Sequence, residues 1–453
     1  MANFITTSVT WEGKSMFDAL LKEQFIGKSP LMTQGVKVMP NVQSTTFLNL
    51  FGAPNKISKA YQKGFNPADG AAYTRRSVDV VQMKAEMAQD ANEFYQTVYE
   101  QIQGKGVEWN DVEKARILNE IIVATFMDGF NADLFRNYWL NDTAKETVVG
   151  GVYSGTPDTD YNMFDGMWKK IIADSSLTPT SSQIQLFDYS ASSVAQIDTV
   201  SVTGTSGTAN VTFNGINYLA TFDTDLTTTA SNFVTLHAAA LLLRGVIVTS
   251  NVADLIFTSS VPGQPFTAVA IANVSGDLAG SRAATTANVS PSALASGAAK
   301  AQLKTMYTDS PAELRAYPND RKVFLVDGYT YENYLTTLES TGSAGEFSVE
   351  SGRSALINGQ PVLKFRGIPV INMDWDVSLN ADFPKASGEL PARPYRIIYT
   401  AYNNLIMAMD AMSDFSKFEY WFNKDEQENR FRMQYRLGAQ YVWTNIMSVS
   451  YEA

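Results

Sequence analysis

The stretch that most constrains the fold is the closing one, 429–451. Read at every second position it gives Phe431, Met433, Tyr435, Leu437, Ala439, Tyr441 and Trp443, then Met447, Val449 and Tyr451. Between them stand Arg430, Arg432, Gln434 and Arg436, and later Gln440, Thr444, Ser448 and Ser450. A period of two belongs to a strand with one buried face and one wet face. At about 3.3 Å per residue the pattern would run roughly 60–70 Å, longer than a usual strand, so Gly438 and Asn445 are the expected bends. A strand of this kind needs partners from earlier in the chain. The protein is therefore expected to build a sheet that its closing stretch completes.

Composition sets the outer limits. The 453 residues are 45% hydrophobic and 18% charged, a globular balance with length for two or three domains. A net charge of −11 disfavours non-specific adhesion to nucleic acid or to anionic membranes. The absence of cysteine excludes disulfides, thiolate nucleophiles and cysteine-ligated metals. With His237 the single histidine, one chain cannot build a His-based triad or a multi-histidine metal site. The first residues, Met1 to Ile5, lack the basic and apolar runs of a signal peptide. The most apolar window, Leu236 to Val248, is interrupted by Arg244 and Gly245 and falls short of the ~20 residues of a membrane helix. A soluble chain made in the cytoplasm, with no membrane partner, is the expectation.

Residues 1–70 read as an extended arm. Ser15 to Phe25 places Phe17, Leu20, Leu21 and Phe25 on one helical face, and prolines and glycines then recur about every ten residues. Phe47, Leu48, Leu50, Phe51, Ile57, Tyr61 and Phe65 are nevertheless apolar enough to seek burial, against a neighbouring subunit for instance. Alternation returns between Tyr73 and Asp90, predicting one strand or, together with the preceding residues, a long hairpin arm. A helix from Asp90 to Gln103 follows, ended by Gly104-Lys105-Gly106. Then comes the longest helix candidate, Asn110 to Leu140, roughly 45 Å at about 1.5 Å per residue, with Ile117, Ile121, Phe126, Phe130, Leu134 and Tyr138 along one stripe. A short helix from Met163 to Ala173 is expected after it.

Composition changes abruptly near Asp188. From there to about Ala299 the only basic residues are Arg244 and Arg282, and glutamate is absent. Strands are expected over 197–204, 209–213, 216–222, 246–250, 255–260 and 266–274, with Asn214-Gly215 as a hairpin turn and a helix from Thr228 or Thr229 to Leu243. This segment, 188–299, reads as a small inserted α+β domain with Ser-rich entry and exit. Charged and aromatic character then resumes: a helix at 293–307, a strand at Arg321 to Asp327, a helix at Tyr329 to Glu339, and Phe365 to Met373 as an edge or bulged strand because of Pro369. Ile397 to Met409 and the closing stretch complete the set. Residues 71–187 and 300–453 are expected to form one discontinuous core.

No catalytic constellation emerges. His237 reads as a histidine partly buried on a helix. Asp158, Asp160 and Asn162 imitate the start of a calcium loop, but Met163 and Lys169 stand where glycine and glutamate are required. The carboxylate pairs Asp374 with Asp376 and Glu346 with Glu350 have spacings that arise by chance in an acidic protein. Phosphate-loop and dinucleotide glycine motifs are absent, and the Asn-X-Ser/Thr triplets at Asn210, Asn273 and Asn288 lie in a segment rich in those residues. No catalytic, cofactor or metal residue is assigned. The basic row Arg430, Arg432 and Arg436 can meet phosphates or acidic patches on a neighbouring chain, or stand as a solvated face that discourages edge pairing. Arg75, Arg76, Lys84 and Glu86 read the same way, and these seven residues are the subunit-interface candidates.

The order of parts resembles the major capsid protein of tailed double-stranded DNA phages, the Hong Kong-type fold. The resemblance rests on Val78 to Glu86 leading into a helix and on Asp165-Gly166-Met167-Trp168 after the long helix. It rests further on Lys322 to Val326 followed by Tyr331 to Leu335, on Gly367-Ile368-Pro369-Val370, and on the closing segment 430–441. Segments 199–215 and 236–245 are similar to a small domain of virion proteins of Bacteroidetes phages, and the whole chain resembles capsid proteins of crAss-like phages.

The resemblance implies an α+β shell protein with an extended arm and loop, a spine helix and an inserted domain. It implies assembly into hexamers and pentamers of an icosahedral head, no enzymatic activity and no cofactor. The implied partners are further copies, portal and auxiliary or decoration proteins, a separate scaffold, and packaged DNA by non-specific contact only. The implied location is the virion, after assembly in the host cytoplasm. The alternatives are another virion structural protein (tail tube, sheath or adhesin) and a carboxylate-dependent hydrolase.

Overall fold

The computed structural model describes residues 35–52 (except 43), 58, 60, 62–64, 72–90, 123–189, 192–341, 356–357, 360–361, 363–410, 418–423 and 425–453. The expected helical segment at 15–25, residues 91–103 of the next, and the part of the long helix before 123 lie outside these residues, while Asp90, the expected helix cap, ends a strand. The protein is mixed α+β and divides into two compact units.

The first unit comprises the described residues of Met1–Leu140 with Gly166–Lys170 and Tyr402–Trp443. Its five-stranded sheet is organised on the strand Glu428–Tyr441. That strand pairs antiparallel with Leu405–Met409 at its far end, with Phe418–Asn423 at its near end, and with Val81–Asp90 from Glu428 to Leu437. Val36–Met39 adds a parallel strand on Leu405–Met409. The expected alternation holds: Phe431, Met433, Tyr435, Leu437, Ala439 and Tyr441 are buried, while the arginines between them are half-exposed. The buried row meets the helix Val123–Leu140, the described part of the expected spine. Phe126 stacks on Phe431 at 6.1 Å and Phe130 meets Tyr435 edge-on at 5.0 Å. Steps of four along the helix (Phe126, Phe130, Leu134, Tyr138) keep one stripe against the sheet.

Gly438, an expected bend, instead lies inside the strand. A Cβ there would overlap the Asp79 carbonyl oxygen, so glycine serves a close backbone approach. The chain does turn around Asn445, between Tyr441 and Met447. Tyr73 to Asp90 is not one strand but two, Ala72–Val78 and Val81–Asp90, and the first forms the hairpin arm with preceding residues that was the alternative expectation. Among the described residues the former pairs only with Thr46–Gly52, in a two-stranded ribbon.

The second unit comprises Asn141–Asp165, the described residues of Ile171–Ala401, and Thr444–Ala453. Its seven-stranded mixed sheet runs in the order Leu363–Phe365, Ile368–Asn372, Lys322–Val326, Ile397–Ala401, Met447–Tyr451, Ile184–Asp188, Ser175–Ser176. The helices Ala298–Asp309 and Gly328–Thr341 cover one face, burying Leu303, Met306, Tyr334 and Leu338 against Phe324, Ile397 and Tyr399. Pro369 does not mark an edge strand, because Leu363–Phe365 lies outside it. The parallel ladder to Lys322–Val326 begins at Val370, one residue after the imide nitrogen that cannot donate.

Residues 194–289 form two sheets and a helix within this unit. Gly207–Phe213 pairs with Ile216–Thr221 and Ala270–Gly276, and Ile197–Thr203 pairs with Asp254–Ser259 and Ala279–Thr286. Val246–Asn251 forms the edge beside Asp254–Ser259. The hairpin turn is at Asn214-Gly215, where both residues have positive φ (44° and 79°). The helix Leu226–Leu243 begins before the expected Thr228, because Asp225 is the cap and accepts the Thr228 N–H at 2.7 Å. It is long and apolar enough to cross a membrane by length and composition. Here its inner side, Ala230, Phe233 and Leu241, is part of the core between the two sheets.

Candidate subunit interface

Period two places side chains two apart on the same side of a strand, and register decides what they meet across the ladder. Glu86 stands opposite Arg432, Lys84 opposite Gln434, Gln82 opposite Arg436 and Ala88 opposite Arg430. Five candidates, Lys84, Glu86, Arg430, Arg432 and Arg436, thus share one face of the five-stranded sheet. The opposite face holds Met83, buried beneath the spine-helix layer.

This polar face is charge-compensated within the chain. Arg432 Nη2 donates to Glu419 Oε2 at 2.6 Å, and Arg436 Nη1 to Asp410 Oδ2 at 2.9 Å, where the carboxylate is buried. Arg430 pairs with Glu426 and Glu428, and Lys84 with Glu86 at 2.7 Å. The carboxylate partners were not singled out in the sequence. The signal was there, however: Glu419 and Arg432 lie at matching positions on the two strands of a hairpin. Because every arginine of the row already faces a carboxylate, this surface is mixed in sign and poorly suited to a run of phosphates.

Arg75 and Arg76 lie on the ribbon instead. The Arg75 guanidinium sits 3.3 Å above the Phe47 ring centre, and that of Arg76 4.2 Å above Tyr441. The ribbon is anchored at one end, where Val78 is fully buried with Val42 and Ala408, and Gln440 donates to the Ser77 carbonyl at 2.8 Å. Farther along, Tyr73 is 55% exposed and donates from its hydroxyl to Asn49 at 2.7 Å.

The remaining candidates take structural roles. His237 lies against Phe233 and Tyr218, with Nε2 3.0 Å from the Leu219 carbonyl oxygen. Asp158 pairs with the buried Lys145, whose ammonium lies 3.9 Å from the Tyr161 ring centre, and caps the turn by accepting the Asp160 N–H. Asp376 accepts the Gly328 N–H at 3.0 Å and Asp374 accepts from Asn372 at 2.6 Å. Glu346 and Glu350 lie outside the described residues. Among the described residues no group of three His, Asp or Glu could hold a metal ion. A cleft of about 700 Å³ beside the exit of the inserted segment is lined by Val289, Pro291, Tyr329, Glu332 and Glu389.

Asp327 was read only as a strand end. It is fully buried at the start of the Gly328–Thr341 helix and accepts from Thr330 N, Thr330 Oγ1 and Arg396 N. Burial outweighs these donors and pushes its carboxyl up to about 6.

No protein-family model matches this sequence, and no curated protein does. Among solved structures, the chain is similar to one from the capsid of a native GTA particle, at 9% identity and TM-score 0.42, covering 93% of this chain and 90% of that one. It is similar to a chain of the satellite phage P4 procapsid, at 9% identity and TM-score 0.40, covering 99% and 93%. A chain of Mycobacterium phage Ogopogo shares 8% identity at TM-score 0.37, with 94% and 92% covered.

Proposed function

We propose that this protein is a major capsid protein that self-assembles into the hexamers and pentamers of an icosahedral phage head around double-stranded DNA. The ribbon Thr46–Gly52 with Ala72–Val78 carries the reading. Among the described residues it joins no larger sheet, and its side chains Phe47 and Tyr73 are half-exposed. An isolated two-stranded ladder is at best marginally stable in water, so it calls for a covering surface. In a shell of identical copies that surface is the neighbouring subunit. The sequence segments that resemble tailed-phage capsid proteins support the same reading, and those similar to crAss-like phages narrow it.

On this reading residues 1–70 are the arm, 71–187 and 300–453 the shell core, and 188–299 an inserted module. Arg75 and Arg76 then contact the neighbour that covers the ribbon. Lys84, Glu86, Arg430, Arg432 and Arg436 form a mixed-charge contact whose sign pattern sets register. The protein acts without catalysis or cofactor, assembles in the host cytoplasm and resides in the virion, with portal, decoration and scaffold proteins as partners. Its negative balance keeps the wall from adhering to DNA.

Negative-stain electron microscopy of the purified chain, alone and co-expressed with its neighbouring gene products, tests this. Shells, or rings of five and six, are expected, and Tyr73→Asp should abolish them while leaving the far-ultraviolet circular dichroism unchanged. Tubes would transfer the protein to a phage tail. A small oligomer that persists under co-expression would overturn the reading.

A further inference from the structure

The helix Leu226–Leu243 buries one side and leaves the other bare. Leu236 is 70% and Leu243 72% exposed, and Ala239 and Ala240 between them are exposed as well. At about 100° per residue these four positions fall within one stripe about 100° wide. The helix contains no charged residue, and nothing among the described residues covers the stripe. Beside it Leu242 is exposed, and so is Ile247 on the sheet's edge strand Val246–Asn251.

We infer that this face binds the same face of a second copy of the chain, as an antiparallel helix pair about a two-fold axis. The stripe is symmetric about the midpoint of Ala239 and Ala240. Turning a second helix end over end places its Leu243 on Leu236, its Leu236 on Leu243, and alanine on alanine at the crossing. That self-matching is what an isologous contact requires. Alanines at the crossing let the axes approach to about 8 Å, and antiparallel dipoles oppose favourably.

Absence of charge removes like-charge repulsion between two identical surfaces of an otherwise acidic chain. A patch of this kind is on the order of 300–600 Å². Two of them bury about 600–1,200 Å², a span that includes the lower limit of about 1,000 Å² for a specific interface. A lipid surface fits less well, because membrane-surface helices carry lysine or arginine on the polar face and this one carries none. The contact does not rest on the capsid reading and adds a link between copies that the ribbon does not make.

The chain has no cysteine, so a single introduced thiol reports this contact in the full-length protein. Under mild oxidation Ala240→Cys should give a disulfide-linked dimer, since thiols beside the axis fall within the reach of a disulfide. Ser281→Cys, on the exposed strand Ala279–Thr286, should give no disulfide-linked dimer. Adding Leu236→Glu or Leu243→Glu to the Ala240→Cys chain should lower the dimer yield about tenfold, as loss of a central apolar anchor does. Equal yields from the two thiols would overturn the inference. So would a dimer indifferent to the glutamates, or flotation with phosphatidylcholine vesicles that those glutamates abolish. Capsid failure without loss of this dimer would separate the two readings.

Discussion

Residues 431–441 and 447–451 carry the same alternation of apolar and polar side chains, yet they end in different surroundings. In Glu428–Tyr441 the polar row keeps contact with solvent and pairs with Glu419, Glu426, Glu428 and Asp410. In Met447–Tyr451 every residue is buried, Ser448 and Ser450 included. The difference comes from sheet position. Met447–Tyr451 lies between Ile397–Ala401 and Ile184–Asp188 in a sheet covered by helices, and Gln302 from one of those helices donates to Ser450 Oγ at 2.7 Å. Alternation reports the period of a strand, and the cover laid over its polar row is settled elsewhere in the chain.

If the seven-stranded sheet is a saturated core and the five-stranded one an open face, substitutions should divide accordingly. Phe324 and Tyr399 stack at 4.2 Å with rings 9° from parallel, and both are fully buried. Phe324→Ala should cost about 3–5 kcal/mol in chemical denaturation. A loss below about 1 kcal/mol would show that the covered sheet can collapse around the missing ring.

The second test uses pH. Burial raises the Asp327 carboxyl to about 6, so its protonated form favours the folded state. Its contribution is complete below the unfolded value near pH 4 and is lost as pH rises through about 6. Relative to Asp327→Asn, which does not titrate, the wild type should lose about 1–3 kcal/mol between pH 4.5 and 7. A flat difference would mean that the three donors hold the anion as comfortably as water does.

The smallest effect is expected on the open face. Arg432 is about one-third exposed, so Arg432→Ala should change the unfolding free energy of the unassembled chain by about 1 kcal/mol or less. Assembly yield should fall more steeply, as particle counts by microscopy would reveal. Equal small effects on both would remove the row from the interface.

How much of this was legible follows from what each pattern encodes. Asn214-Gly215 could be placed to the residue because only a few residue types accept two successive positive φ values. The buried row of 431–441 and the stripe of Phe126, Phe130, Leu134 and Tyr138 were legible by period alone. Ala279–Thr286 escaped notice because Ala-Gly-Ser-Arg-Ala-Ala-Thr-Thr has no apolar alternation; it is held by its ladder to Ile197–Thr203 and presents mostly exposed side chains. Pairing partners were not legible, since the parallel addition of Val36–Met39 to Leu405–Met409 leaves no local mark in either segment. The candidate interface divided likewise: its face followed from spacing, its compensating carboxylates from register.

The ladder between Val81–Asp90 and Glu428–Leu437 also sets a clock. About 340 residues of chain must be made after the first strand before its partner exists, on the order of 20–70 s at about 5–20 residues per second. Throughout that interval the row Met83, Ala85 and Met87 has no native cover from the closing strand. The hairpin Phe418–Asn423 with Glu428–Tyr441 is by contrast local and can close within microseconds of its synthesis. Once 418–441 is made, its hairpin is a ready template for the older, waiting strand Val81–Asp90. Copies held close together on one messenger would have that same interval in which to exchange strands.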